Sequence, residues 1–384
     1  MDTLMIKQTI FEIAPRLSAN WFDMRPYEKN EVIPSYSCRS FSTYPVDKPY
    51  LSDAMTGKNS SLPAYKNIPG VYLGTFHGTK SSSVDLFGKI GKGVAISAAY
   101  LNWSSGFNNS LLLANANVGR ISFLTWEFMP GSSQKLQEYE GRALEGIING
   151  LYDAYLTSWA EGMRNFGKPV FLRFGHEMNG DWYPWSGVKN GGGIMNGYGS
   201  PDLPDGPERY VDAYRYIHDH FIKNGADNVL WVWCLNAPFE VMEQSLGSWN
   251  NAAAYYPGDD YVDWLCFDGY NRGSSAFGQQ FNAKWTSFDE IFASSYAELQ
   301  AINSEKPIII GEFASTEEGG DKAAWIRDVF SAIRNKYPQI RAIIWFHIAK
   351  ETDWRINSSE ASLNAYREAV ADDYWLSEWP GMVP

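Results

Sequence analysis

Residues 168–187 read KPVFLRFGHEMNGDWYPWSG, and the fold of the whole chain is decided by how this stretch is parsed. It opens with Pro169, Val170, Phe171 and Leu172, a short apolar run bounded upstream by Gly167, which predicts a buried strand. The run then breaks into polar groups at Arg173, His176, Glu177 and Asn179, followed at once by Trp182, Tyr183 and Trp185. A strand that delivers ionisable groups to its C-terminal end and surrounds them with aromatic rings has the makings of one wall of an active site. The rings offer flat apolar faces to a ligand, and a carboxyl among them can transfer protons. A single His-Glu pair is also common as a satisfied surface pair, so the rest of the chain has to carry the argument.

Apolar, strand-like runs of the same kind recur along the chain. They lie at 71–77 (VYLGTFH), 94–103 (VAISAAYLNW), 121–128 (ISFLTWEF), 169–177, 229–236 (VLWVWCLN), 262–271 (VDWLCFDGYN), 307–315 (PIIIGEFAS) and 340–348 (IRAIIWFHI). Between them, segments 152–165, 207–224, 287–303, 321–335 and 359–371 carry apolar residues at helical spacing, the first two stopping at Gly167 and Gly225. Strand and helix alternating in this way predict an α/β fold, a (β/α)8 TIM barrel over 70–384. A doubly wound open sheet is the alternative, but no Gly-x-Gly-x-x-Gly follows the first run. Residues 1–69, punctuated by Pro15, Pro26, Pro34, Pro45, Pro49 and Pro63, read as an irregular N-terminal extension packed on the barrel.

Composition narrows the function classes. A net charge of −12 argues against nucleic acid and anionic membrane surfaces as partners. Aromatic residues make up 16% of the chain, with 16 Trp among them, which suits both a large packed barrel and a sugar-binding cleft. Three cysteines at wide spacing (Cys38, Cys234 and Cys266) form neither a disulfide framework nor a zinc pattern; whether Cys234 and Cys266 pair is left open. No apolar run is long enough to span a membrane, and no leader with a basic start and a long apolar core is visible. A monomer is expected.

In a barrel, polar residues at the C-terminal ends of strands are the functional candidates. That rule selects His77, Trp103, Trp126 with Glu127, His176 with Glu177, Asn236, Asp268 with Tyr270 and Asn271, Glu312, and Trp345 with His347. The set holds no serine elbow, phosphate loop or metal cluster, so neither metal nor cofactor is expected. Glu177 and Glu312 stand out: they end the fourth and seventh runs, which lie on opposite sides of an eight-stranded barrel. Retaining glycoside hydrolysis needs such a pair about 5–5.5 Å apart, one carboxyl as acid/base and the other as nucleophile. For Glu127, Asp268 and Glu317 a structural role is the more ordinary expectation.

FLRFGHEMNGDWYPW and PIIIGEFAS resemble the two active-site segments of glycoside hydrolase family 26, whose members are retaining (β/α)8 glycosidases with catalytic glutamates on strands four and seven. The resemblance implies Glu177 as general acid/base and Glu312 as nucleophile. It implies His176 as an orienting residue, Trp182 as a sugar platform beside the scissile bond, and Tyr270 as hydrogen-bonded to the nucleophile. Asn179, Trp126, Trp345, His77 and Trp185 are expected to line the cleft, and Trp354 and Arg355 to close its glycone side. Family 26 is mostly β-mannanases, whose motif typically continues as WFWWG. The WYPW of this chain resembles instead the mixed-linkage β-glucanases of the family. The expected function is therefore an endo-acting, secreted hydrolase of a β-linked plant-type polysaccharide, a β-1,3-1,4-glucan ahead of a β-1,4-mannan. A non-catalytic carbohydrate-binding barrel would be expected to have lost one glutamate, and a transglycosylase is a third possibility on the same scaffold.

Overall fold

A computed structural model of the chain describes residues 65–78, 83–129 and 143–382. The expected extension therefore lies, up to residue 64, outside the described residues. Eight parallel strands form a closed barrel: β1 (Val71–Phe76), β2 (Ile96–Asn102), β3 (Ile121–Glu127), β4 (Val170–Phe174), β5 (Val229–Asn236), β6 (Trp264–Asn271), β7 (Ile308–Ser315) and β8 (Ile340–Phe346). Each pairs with its sequence neighbour, and β1 closes the ring by pairing with both β2 and β8. A two-residue strand, β9 (Trp375–Leu376), adds to β1. This is the (β/α)8 barrel that the alternation predicted.

The strands are continuous apolar runs because both their faces are buried. On β4, Phe171 and Arg173 point into the barrel, whereas Val170, Leu172 and Phe174 pack outward against helices. On β3, Phe123 and Thr125 point inward, and Leu124 and Trp126 outward. The outer layer includes α1 (Ser83–Ile90), α2 (Ser110–Ala116), α3 (Ala143–Ile148), α4 (Asp153–Phe166), α5 (Asp205–Lys223), α6 (Phe239–Leu246), α7 (Ala276–Gln279), α8 (Phe288–Ile302), α9 (Lys322–Lys336) and α10 (Glu360–Ala369).

Helix ends follow local chemistry. Gly167 closes α4 in the left-handed region, and a capping box between Ser287 and Glu290 opens α8. Asp321 and Ser359 cap α9 and α10 through their side chains. The fourth strand, however, stops at Phe174, so His176 and Glu177 lie in a turn rather than on the strand itself. Among the described residues, no helix is long and apolar enough to cross a membrane.

Candidate active site

The turn after β4 sets the position of Glu177. Gly175 has φ +57, and a Cβ there would sit 3.0 Å from the buried ring of Tyr210, so both conformation and space call for glycine. Glu177 itself has φ +54, a costly conformation for a non-glycine residue and one that concentrates at functional sites. Its backbone N–H is anchored on the Cys234 carbonyl of β5 at 2.9 Å. The indole N–H of Trp182 donates to Glu177 Oε2 at 2.9 Å. Tyr183 and Trp185 stack face to face at 4.3 Å and buttress His176. Trp185 donates to the His176 carbonyl at 2.7 Å, and the Tyr183 hydroxyl meets His176 Nε2 at 3.0 Å. The DWYPW segment thus splits its work: Trp182 touches the carboxyl, and the other two rings fix the histidine.

Glu312 is held from below by a buried guanidinium. Arg173 reaches Glu312 Oε1 and Asp268 Oδ2, each at 2.6 Å, and donates twice to Thr125 Oγ1 at 3.0 and 2.7 Å. The Tyr270 hydroxyl donates to the other Glu312 oxygen. Gly311 makes this possible: a Cβ there would lie 2.6 Å from Cys266 Sγ, 2.7 Å from Asp268 Oδ1 and 2.8 Å from Arg173 Nη1. Burial alone would lower the Arg173 pKa, but Asp268 and Glu312 together hold it well above the usual arginine value. A permanently charged fork that binds two carboxylates at once is a rigid base for an acceptor-only group.

The electrostatics separate the two glutamates. Burial, and next the charge of Glu312, push Glu177 from 4.5 up to about 8, so its carboxyl carries a proton at neutral pH. Burial and the charge of Arg173 push His176 well below the ordinary histidine range, so its imidazole is neutral. A carboxylate supported by Arg173 and Tyr270 facing a protonated carboxyl is the division of labour that acid-assisted displacement needs. A stability consequence follows. Because the folded pKa of Glu177 is raised, the native state keeps a proton that the unfolded chain releases. Its contribution is fully present below about 4.5 and is lost as pH rises to about 8. Glu177→Gln should therefore gain stability over wild type across that window, by on the order of 5 kcal/mol at most. Thermal unfolding at pH 4 and pH 8 checks this: the gap in Tm should widen with pH, and a constant gap would show that burial does not load this group.

Several residues expected at the cleft are placed elsewhere. Trp126 and Trp345 are fully buried and face the helix layer, Trp126 among Trp103, Trp159 and Phe221, Trp345 among Phe313, Trp325 and Tyr366. Strand alternation turns them away from the mouth, so neither lines the cleft. Trp185 is likewise fully buried and supports His176 rather than a ligand. Asn179 spends its side chain on a two-way clamp with the Asn236 backbone, both bonds 2.9 Å, which pins the turn to β5. His77 is half-buried, with Arg120 and His347 as its neighbours. Arg355 is committed to Asp353 at 2.6 Å. Trp354 lies 5.1 Å from the Tyr270 ring and backs it. Cys234 and Cys266 face each other on β5 and β6 as free thiols. Arg173, which strand-end position did not select, ties the site together: it joins Glu312 to Asp268, a residue that the strand-end rule selected but for which a structural role was the ordinary expectation. The signal for Arg173 is an arginine inside an otherwise apolar strand, which demands buried acidic partners.

Residues 123–369 match the model of glycosyl hydrolase family 26. Endoglucanase H of Acetivibrio thermocellus is 40% identical over 306 residues, spanning 78% of this chain and 30% of that protein. A mannan endo-1,4-β-mannosidase of Bacillus subtilis is 30% identical over 206 residues, 52% of this chain and 44% of that one. The chain thus spans less than half the length of either relative. Among solved structures, the Bacillus subtilis mannanase man26 superposes with a TM-score of 0.52 at 20% identity, over 82% of this chain and 90% of that one, a likeness of fold.

Proposed function

Given that the chain belongs to glycosyl hydrolase family 26, we propose that it hydrolyses a β-linked polysaccharide internally, with retention, and that its preferred substrate is a mixed-linkage β-1,3-1,4-glucan. The observation that carries the mechanism is the pairing of a proton-bearing Glu177 with a Glu312 fixed by Arg173 and Tyr270. Glu312 attacks the anomeric carbon while the glycosidic C–O bond breaks, and Glu177 passes its proton to the leaving oxygen. The covalent ester is then opened by water: Glu177 takes a proton from it, the new C–O bond forms, and Glu312 departs as a carboxylate. Trp182, with its N–H on Glu177 and part of its ring accessible, presents a face to the sugar beside the bond being cut. A polymeric substrate of this kind cannot cross a membrane, so the enzyme acts outside the cell.

Two observations favour glucan: the WYPW sequence at 182–185 and the longer, higher-identity match to a relative named endoglucanase. A β-1,4-mannan is the second reading, favoured by relatives named mannan endo-1,4-β-mannosidase. A reducing-sugar assay on barley β-glucan, lichenan, galactomannan, carboxymethylcellulose and xylan separates them. Activity confined to the first two is the expected result. Activity on galactomannan instead would replace the substrate and keep the chemistry, whereas release of monosaccharide alone would rule out internal cleavage. No activity on any of the five would favour a carbohydrate-binding barrel. Because the acid must be protonated, kcat/KM should fall about tenfold per pH unit above about 8.

A further inference from the structure

We propose that Glu127 reads the ring hydroxyls of the sugar seated over Glu312 and so helps to decide which hexose the site accepts. This rests on the glycosidase reading above and deepens it. Glu127 is the last residue of β3, paired in register with Asn102 of β2. Thr125, two residues earlier, points inward to Arg173, and Trp126 points outward. Alternation therefore puts the Glu127 side chain on the inward face at the mouth. There the charges it feels are those of Glu312, Arg173 and Lys350, and the Tyr183 hydroxyl feels Glu127 in turn. It is half-buried, and among the described residues its carboxyl has no hydrogen-bond partner.

It is not alone on that wall. The Tyr100 hydroxyl, on β2, is buried beside Glu312 with no well-aligned hydrogen bond, and Nδ1 of His176, a residue only 1% exposed, is buried without a partner. A ring nitrogen of His176 and oxygens of Glu312 and Asp268 lie within 4.8 Å of one another. Buried polar groups are ordinarily satisfied. The open His176 nitrogen on the turn after β4, the buried Tyr100 hydroxyl of β2 and the half-buried Glu127 carboxyl of β3, gathered around Glu312, mark a surface built for a hydroxyl-rich ligand. Burial and the charge of Glu312 push Glu127 up to about 7, which lets it both donate and accept at neutral pH. Hexoses differ in which hydroxyls stand axial or equatorial, and a site built to hydrogen-bond a particular hydroxyl discriminates strongly against its absence.

The test uses Glu127→Ala and the near-isosteric Glu127→Gln in the full chain, with kcat/KM on barley β-glucan and galactomannan and Tm alongside. The alanine variant should lose about 10- to 100-fold on the preferred polysaccharide and shift the ratio between the two, with Tm no lower than wild type. The glutamine variant should recover part of the loss. An alanine variant within about twofold of wild type, or one losing equally on both polymers together with Tm, overturns the inference. Should wild type cleave neither polymer, the activity reading itself fails. Calorimetric binding of cellotetraose and mannotetraose then decides for Glu127, and equal affinities in wild type and Glu127→Ala would sink it.

Discussion

Replacing Glu312 by alanine should abolish hydrolysis of every substrate, activated aryl glycosides included, by roughly 10⁵-fold or more. The loss is general because attack and departure are one step: without the attacking carboxylate, no covalent intermediate forms, however good the aglycone. The fold should survive. Arg173 keeps Asp268 at 2.6 Å and Thr125 at 2.7 Å, so its guanidinium is not left unpaired, and Tyr270 still packs on Trp354 and Phe346. Circular dichroism and Tm close to wild type would confirm that chemistry rather than structure was removed. An activated 2-deoxy-2-fluoro glycoside, which forms the covalent ester but releases it slowly, should label wild type on the peptide holding Glu312 and leave the variant unlabelled. Labelling on another carboxylate, or residual activity above about one per cent, would reassign the nucleophile.

The barrel was legible because its strands are buried on both faces, which writes them as apolar runs, and because helices start and stop at readable signals such as Ser287 and Gly167. Position in that pattern is also what singled out Glu177 and Glu312 as the candidate pair. What position could not supply was the face. At the end of β3 the inward residue is Glu127, not Trp126; at the end of β8, Trp345 packs outward among Phe313, Trp325 and Tyr366. A one-residue step reverses the side of a strand, so naming strand-end aromatics as cleft residues picked the wrong neighbour twice. Arg173 escaped assignment for another reason. Its partners Asp268 and Glu312 are 95 and 139 residues away in sequence, and only barrel closure brings them together. Gly311, unremarkable as a letter, has its reason only once Arg173 and Asp268 are seen to occupy the space its side chain would take.

Replacing Glu177 by alanine should produce a different signature, one that depends on the leaving group. Polysaccharide hydrolysis should fall by roughly 10²–10⁴-fold, the usual range for a positioned general acid, because a sugar alkoxide leaves poorly unless protonated. A 2,4-dinitrophenyl glycoside needs no such help, so attack by Glu312 on it should be spared and the covalent intermediate should accumulate. The second step would then limit turnover, since Glu177 also takes the proton from water. A burst of dinitrophenolate followed by slow release is the expected time course. Azide, a nucleophile that needs no base, should accelerate the slow phase and yield the β-glycosyl azide, because attack on an α-linked intermediate inverts it a second time. The geometry makes the test sharp. Trp182 donates to the Glu177 carboxylate but is held by its own ring contacts with Tyr183, so the platform should outlast the loss of its acceptor. Equal losses on polymer and aryl glycoside, with no azide rescue, would mean that the proton comes from elsewhere, and Glu127 would be the next carboxyl to examine, since burial and the charge of Glu312 also raise it to about 7.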